Sequence, residues 1–312
     1  MAATIGGAVG LAGPEPQARL RDRLAGNGIA VTVARLVRTR KGASGLAVLL
    51  ALILVATFAP LLARYDPNEN HLEAQLAPPS ATYWFGTDEL GRDIFSRVLF
   101  GSRPSLITGL LAVTLAASVG LLTGIVAGYA RGWSDILGMR VWDALLAFPA
   151  IFLAIGIVSI LGPGWINGTL AIAIVNIPVF ARLVRAVTLS VVQRDFVMAA
   201  RATGCSDGHI MRVHVFPNCL APVIVQMAIA APDAILVEAA LSFLGLGSQP
   251  PNPSWGNMLS AAQGYLYRSS TYALFPGLAI TLVVLGMNYF ADGLQDAIDP
   301  RRLSGGRGGA AR

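Results

Sequence analysis

Pro104-Ser-Leu-Ile-Thr-Gly-Leu-Leu-Ala-Val-Thr-Leu-Ala-Ala-Ser-Val-Gly-Leu-Leu-Thr-Gly-Ile-Val-Ala-Gly-Tyr-Ala130 runs for 27 residues without a charge. A helix needs about 20 mostly apolar residues to cross a bilayer, so this segment predicts a membrane span. Its glycines, Gly109, Gly120, Gly124 and Gly128, allow close approach of a second helix. Working outward, five more stretches qualify: Leu46–Ala63, Ala144–Leu161, Trp165–Ala181, Cys219–Val237 and Ala273–Ala291. The fifth in chain order, Cys219–Val237, is interrupted by Pro222, Pro232 and Asp233. The fold class predicted is an all-α polytopic membrane protein with six transmembrane helices.

Composition supports that reading by exclusion. The 312 residues are 54% hydrophobic and 13% charged, with a mean hydropathy of +0.62. A soluble surface ordinarily needs about twice that share of charge, and a disordered chain lacks this much apolar material. A β-barrel would show alternating segments of about ten residues rather than long uniform runs. Two cysteines, Cys205 and Cys219, are too few for a disulfide scaffold or a four-cysteine metal site.

The basic residues fall between the apolar runs, which argues for membrane topology and against a nucleic-acid partner. With the N-terminus inside, the inner segments hold 18 Arg and Lys residues and the outer segments 5. Discounting Arg19, Arg21 and Arg23, which lie far from a span, leaves 15 against 5. Both termini are therefore expected in the cytoplasm. The resulting organisation is a basic tail at 1–45, a first span at 46–63 and an extracytoplasmic loop at 64–103. A core follows at 104–291, containing a cytoplasmic loop at 182–218, and then a tail at 292–312. The run before Leu46 does not read as a cleavable signal, because its arginines are scattered and the apolar stretch after it is of full span length.

The 182–218 loop contains Asp195-Phe-Val-Met-Ala-Ala-Arg-Ala-Thr-Gly204-Cys-Ser-Asp-Gly-His-Ile-Met-Arg-Val-His-Val-Phe-Pro217. Helix formers run from Val197 to Ala202 and stop at Gly204, which suits a left-handed C′ position. Ser206 or Asp207 can cap a second helix, and Pro217 is expected to limit its far end. The prediction is a short helix–turn–helix whose Ala199, Ala200 and Ala202 form a low-relief face, suited to a partner's groove.

This segment resembles the Glu-Ala-Ala loop of the inner-membrane permeases of ABC importers. Ala199-Ala200, Gly204 and Phe216-Pro217 stand at that motif's spacings, while Met198 replaces its Glu, His214 its Ile and Phe216 its Leu. Other segments are similar to the second permease of dipeptide, oligopeptide and nickel importers. They are Pro60-Leu-Leu-Ala-Arg-Tyr-Asp-Pro67, Tyr83–Arg97, Glu238–Gly247, Pro253–Met258, Phe275-Pro276-Gly277 and Asp292–Arg301. Together they cover roughly residues 45 to 303.

The resemblance implies a type I importer permease in a bacterial cytoplasmic membrane that moves dipeptides or oligopeptides, with nickel complexes as the alternative. It implies that Met198, Ala199, Ala200, Arg201, Gly204, Phe216 and Pro217 dock an ATPase. The partners implied are a second homologous permease, two ATP-binding subunits (or one fused), an extracytoplasmic substrate-binding protein and a peptide. No cofactor is expected in this chain, because ATP and Mg would be bound by the partner subunits. The chain itself has no phosphate-binding Gly-x-x-x-x-Gly-Lys-Ser/Thr motif; its one lysine, Lys41, follows Arg40. It is thus not expected to be an enzyme.

Three further groups stand out. In Gly86–Arg97, Asp88, Glu89, Arg92, Asp93 and Arg97 are spaced to pair along one face of an amphipathic helix. That helix either braces the second span, or meets a substrate-binding protein or acts near the outer gate. Asp233 and Glu238 are carboxylates inside a span, where charges usually face a cavity; they are candidates to line the outer mouth of a translocation path. Asp143 with Arg140 reads as an anchor at the inner end of the third span. No metal site is expected, since His209 and His214 are five residues apart and His71 lies on the other side. An aspartyl protease is disfavoured because Asp143 and Asp233 fall near opposite faces. A secondary transporter or channel fits six spans and buried charges but leaves the Ala-Ala, Gly and Phe-Pro pattern unexplained.

Overall fold

The computed structural model describes residues 32–298; residues 1–31 and 299–312, and the tail assignments that fall on them, lie outside the described residues. A chain embedded in hydrocarbon must satisfy its backbone internally. Among the described residues every regular element is accordingly helical, apart from one isolated bridge between Thr87 and Asp93. The elements are α1 (Arg40–Leu62), α2 (Ile94–Ala130), α3 (Gly132–Leu146), α4 (Ala150–Leu161), α5 (Trp165–Val192), α6 (Asp195–Ala202), α7 (Asp207–Phe243), α8 (Trp255–Ala262) and α9 (Ser270–Ile298). Helices α1, α2, α5, α7 and α9 are each long and apolar enough to cross a membrane.

The packing follows the small residues. Helices α2 and α5 form the most extensive pair. At Gly124 a Cβ would fall 2.6 Å from the Ala181 carbonyl oxygen, so the two backbones touch where a larger residue would separate them. The main apolar core lies between α2, α4, α5 and α7, with Phe180, Ile172, Val184 and Leu241 fully buried. By contrast Leu110, Leu122, Phe152 and Ile160 point outward and exposed, as expected for surfaces facing lipid or another membrane subunit.

Three sequence expectations are corrected. The third span is not a straight helix over Ala144–Leu161. It is the pair α3 and α4, bent by 96°. Pro149 has no N–H to give and disfavours a helical Phe148, and its own ψ of 132° breaks the helix there. With 12 residues, α4 is about 18 Å long, too short to cross a ~30 Å hydrocarbon layer alone. Asp143 also pairs with Arg182 (2.6 Å) rather than Arg140, and Arg185 grips Asp135 through two bonds (2.5 and 2.6 Å), so α3 is clipped to α5.

Second, residues 86–93 are not helical. Gly86 and Gly91 take φ of +81° and +77°, and the helix begins only at Ile94, capped by Asp93 accepting from the Ser96 N–H. The charged residues do pair, but within a folded loop. Third, Pro217 does not end a second short helix. The chain runs on from Asp207 to Phe243, passing through a π-turn at Met211–Val215 in which the Phe216 N–H bonds the Met211 carbonyl. That wider turn absorbs the donor missing at Pro217, and the Asn218 side chain bonds the His214 carbonyl (2.6 Å) instead. With α5 reaching Val192, only 193–206 lies between the two long helices.

The bundle has two distinguishable ends. One, the hairpin end, gathers the start of α1, the end of α2, α3, α6, the start of α7 and the end of α9; Lys41 meets Asp292 there (3.4 Å). The other, the loop end, gathers residues 63–93, the start of α2 and α5, α8 and the start of α9. Phe85 stacks on Phe275 at 3.7 Å, and the Gly164 N–H bonds the Leu246 carbonyl.

Candidate functional site

The hairpin at 195–210 is built from a short helix, a left-handed turn and a cap. Gly204 has φ +83°, the Gly204 N–H bonds the Arg201 carbonyl and the Cys205 N–H bonds the Ala200 carbonyl. These two bonds make a Schellman ending, which a residue without a Cβ adopts at least cost. Of the two candidate caps, Ser206 is used: its hydroxyl accepts from the His209 N–H. Val197 and Ile210 are fully buried and seat the hairpin on the core through apolar contact.

What remains on the outside is the predicted face. Met198 is 54% exposed, Ala199, Arg201, Ala202 and Gly204 are exposed, and Ala200 is half-buried. Small side chains surrounded by backbone leave a flat surface that another protein can approach closely. Phe216 and Pro217 are exposed too, but on α7 past the π-turn rather than on the short helix.

The hairpin is also fastened sideways. Tyr129, in the last turn of α2, donates its hydroxyl to Asp207 Oδ1, and the Arg201 guanidinium lies 5.4 Å from the centre of its ring. Hydrogen bonding to Tyr129 raises the pKa of Arg201 above its ordinary value. Sequence reading missed Tyr129 because it ends an uncharged run and was absorbed into the span. Its only signal is a lone phenol where an apolar residue would serve.

Asp233 and Glu238 do not form one site. Asp233 is exposed on α7. Glu238 is 3% exposed and accepts hydroxyl hydrogens from Ser105 (2.9 Å) and Ser242 (2.8 Å), joining α7 to α2. Ser242 in turn accepts from the Ser248 N–H, and the Trp165 indole donates to Thr108 beside it.

At the loop end, the charged segment is a buried network centred on Asp88 that sequence spacing only half revealed. Asp88 accepts from Arg92 Nε (2.6 Å) and from the N–H groups of Leu90 and Arg92, with Arg97 Nε at 3.5 Å. Arg97 also donates to the Pro67 carbonyl (2.7 Å), which ties the loop to the first turn of α2.

Five helices of span length packed through glycine, with a flat hairpin at one end and a folded cap at the other, define the class: an integral membrane protein. Residues 120–304 match the family described as binding-protein-dependent transport system inner membrane component, and residues 30–79 match the N-terminal TM domain of oligopeptide transport permease C. The chain is similar to the dipeptide transport system permease protein DppC of Alkalihalophilus pseudofirmus, with 49% identity over 83% of this chain and 86% of that protein. It is also similar to the di/tripeptide transport system permease protein DppC of Pseudomonas aeruginosa (46%; 84% and 88%). The glutathione transport system permease protein GsiD of Pectobacterium atrosepticum is 44% identical over 84% of this chain and 87% of that protein. The chain belongs to the family of binding-protein-dependent inner membrane transport components.

Proposed function

We propose that this chain is the permease subunit of an ATP-driven importer of dipeptides or oligopeptides. It forms half of the translocation path with a second permease and takes its energy from separate ATP-binding subunits. Relatives that carry dipeptide, di/tripeptide and glutathione names support short peptides as the cargo. An external binding protein delivers the peptide, and ATP and Mg bind in the partner subunits. The preponderance of arginine in the segments at the hairpin end supports a cytoplasmic position for that end and for both termini.

The observation that carries the reading is the exposed surface of Met198, Ala199, Arg201 and Ala202 on the hairpin, ending at the left-handed Gly204, in a chain without a phosphate-binding loop of its own. An ATPase grips Met198, Ala199, Ala200, Arg201 and Gly204, with Phe216 and Pro217 at the margin. Asp233 is the better candidate for the path: an exposed carboxylate within a span is costly against lipid and favours a water-filled cavity or a partner. Glu238 braces the wall behind it. The test is co-purification. The double substitution Ala200→Trp, Gly204→Val should release the ATPase while the second permease stays bound; undiminished ATPase in that variant would overturn the docking assignment. Uptake of alanyl-alanine by liposomes holding this chain alone would overturn the importer reading itself.

A further inference from the structure

The hairpin rests on apolar contacts through Val197 and Ile210, which resist separation but have little directional preference. Tyr129 adds direction. Its hydroxyl reaches Asp207, the first residue of α7, and its ring lies under Arg201, in the last turn of α6. One side chain of α2 therefore holds both arms of the hairpin. Beside it lies an open pocket of about 590 Å³ bordered by Val126, Tyr129, Ala130, Arg201, Asp207 and Met211, so no packed layer backs this contact up.

Helix α2 is the element that can carry movement furthest. Its 37 residues make a rod of about 56 Å. At the loop end that rod holds three other elements. Arg103 donates to the Ala56 carbonyl of α1 (2.7 Å), Ser105 to Glu238 of α7 (2.9 Å), and the Trp255 indole of α8 donates to the Val98 carbonyl (3.0 Å). A displacement of the hairpin passed to α2 thus arrives where α1, α7 and α8 each attach to it.

We propose that Tyr129 is a positioning residue for energy coupling: through Asp207 and Arg201 it passes movement of the hairpin to α2 and so to the loop end of the bundle. The proposal rests on the hairpin being the ATPase contact. Helices α5 and α7 adjoin the hairpin in the chain; α2 packs along α5 through Gly120, Gly124 and Gly128, and at the hairpin itself Tyr129 is the α2 side chain that reaches both arms. Tyr129 supplies the hydrogen-bonded part of that contact.

The test uses the complete assembly, with second permease, ATPase subunits and binding protein, in proteoliposomes with alanyl-alanine as probe. Tyr129→Phe keeps the ring under Arg201 and removes the hydroxyl, which is the donor to Asp207 and an acceptor for Arg201. ATPase co-purification and ATP hydrolysis should persist, while dipeptide moved per ATP hydrolysed should fall about tenfold, the factor expected for one lost hydrogen bond to a charged acceptor. Asp207→Asn keeps an acceptor and should stay near the wild-type ratio, whereas Asp207→Ala should match Tyr129→Phe, and the double substitution should lose no more than either alone. An unchanged ratio in Tyr129→Phe overturns the proposal. Release of the ATPase from Tyr129→Phe overturns it as well, since the residue would then shape the docking surface rather than transmit movement. Wild-type assemblies that contain no ATPase would instead overturn the hairpin reading beneath it.

Discussion

Charge is buried at the loop end and displayed at the hairpin end. Asp88 is fully buried, receives two backbone N–H groups and Arg92, and lies beside Arg97, which itself is tied to the Pro67 carbonyl. Arg201 and Asp207 stand exposed, held to the body through one tyrosine, with open space beside them. Two charged segments of similar length thus perform opposite tasks. The first is mostly paired within the chain, with Glu89 Oε2, Asp93 Oδ1 and Arg97 Nε buried without a hydrogen bond, and fixes the cap of the bundle. The second leaves its surface free and owes its shape to a glycine turn and a serine cap. On the docking role proposed for the hairpin, a segment gripped by a partner cannot also saturate its own contacts, and the two ends would then divide those tasks.

The comparison breaks most sharply at Asp88. Asp88→Ala leaves two buried guanidinium groups without their shared carboxylate, a loss expected to cost about 3–5 kcal/mol. Thermal unfolding in detergent should show a large drop and low yield of folded protein; a wild-type transition would mean the network is dispensable. A smaller effect is expected at Glu238→Ala, which orphans the Ser105 and Ser242 hydroxyls at about 1–3 kcal/mol. Glu238→Gln retains an acceptor and should recover part of that stability. If both variants unfold with the wild type, the joint between α2 and α7 is not a brace.

These effects also show what the sequence could and could not disclose. The spans were legible because a bilayer demands long apolar runs, and the hairpin because Gly204 and Ser206 are local punctuation whose meaning survives without tertiary context. The break at Pro149 was readable in principle, but the uncharged run from Ala144 to Leu161 hid it. The 86–93 loop was misread because spacings of three to five suit a helix face and a tight turn alike, and only the positive φ of Gly86 and Gly91 separates them. Partners distant in sequence stayed invisible: Arg185 with Asp135, Ser105 with Glu238 and Tyr129 with Asp207 are 50, 133 and 78 residues apart. The partner of Asp143, Arg182, is likewise 39 residues away.

At the hairpin end, substitutions should move function more than stability. Gly204→Ala places a Cβ at φ +83°, a strain of about 1–2 kcal/mol confined to the turn. It should lower ATPase retention and leave the main unfolding transition close to its place. Asp233→Asn removes a charge from an exposed position on α7; dipeptide uptake should fall with little change in unfolding, and unchanged uptake would take Asp233 out of the path.

The smallest effect is expected at Met198, where the resembling loop carries Glu. Met198 is half exposed and lies on the first helix of the hairpin, away from the buried Val197. An exposed substitution there should shift stability by no more than about 0.5 kcal/mol. Helix α6 already opens with Asp195 and closes with Arg201, so a carboxylate at 198, near the middle of its eight residues, gains little from the helix dipole in either direction. Met198→Glu should therefore unfold with the wild type. Whatever it changes will appear only when the ATPase is present, as tighter or weaker retention, because the partner supplies whatever group faces position 198. A stability change in the isolated chain would mean that Met198 packs against the bundle and that the hairpin face is less free than the loop end's self-sufficiency makes it look by contrast.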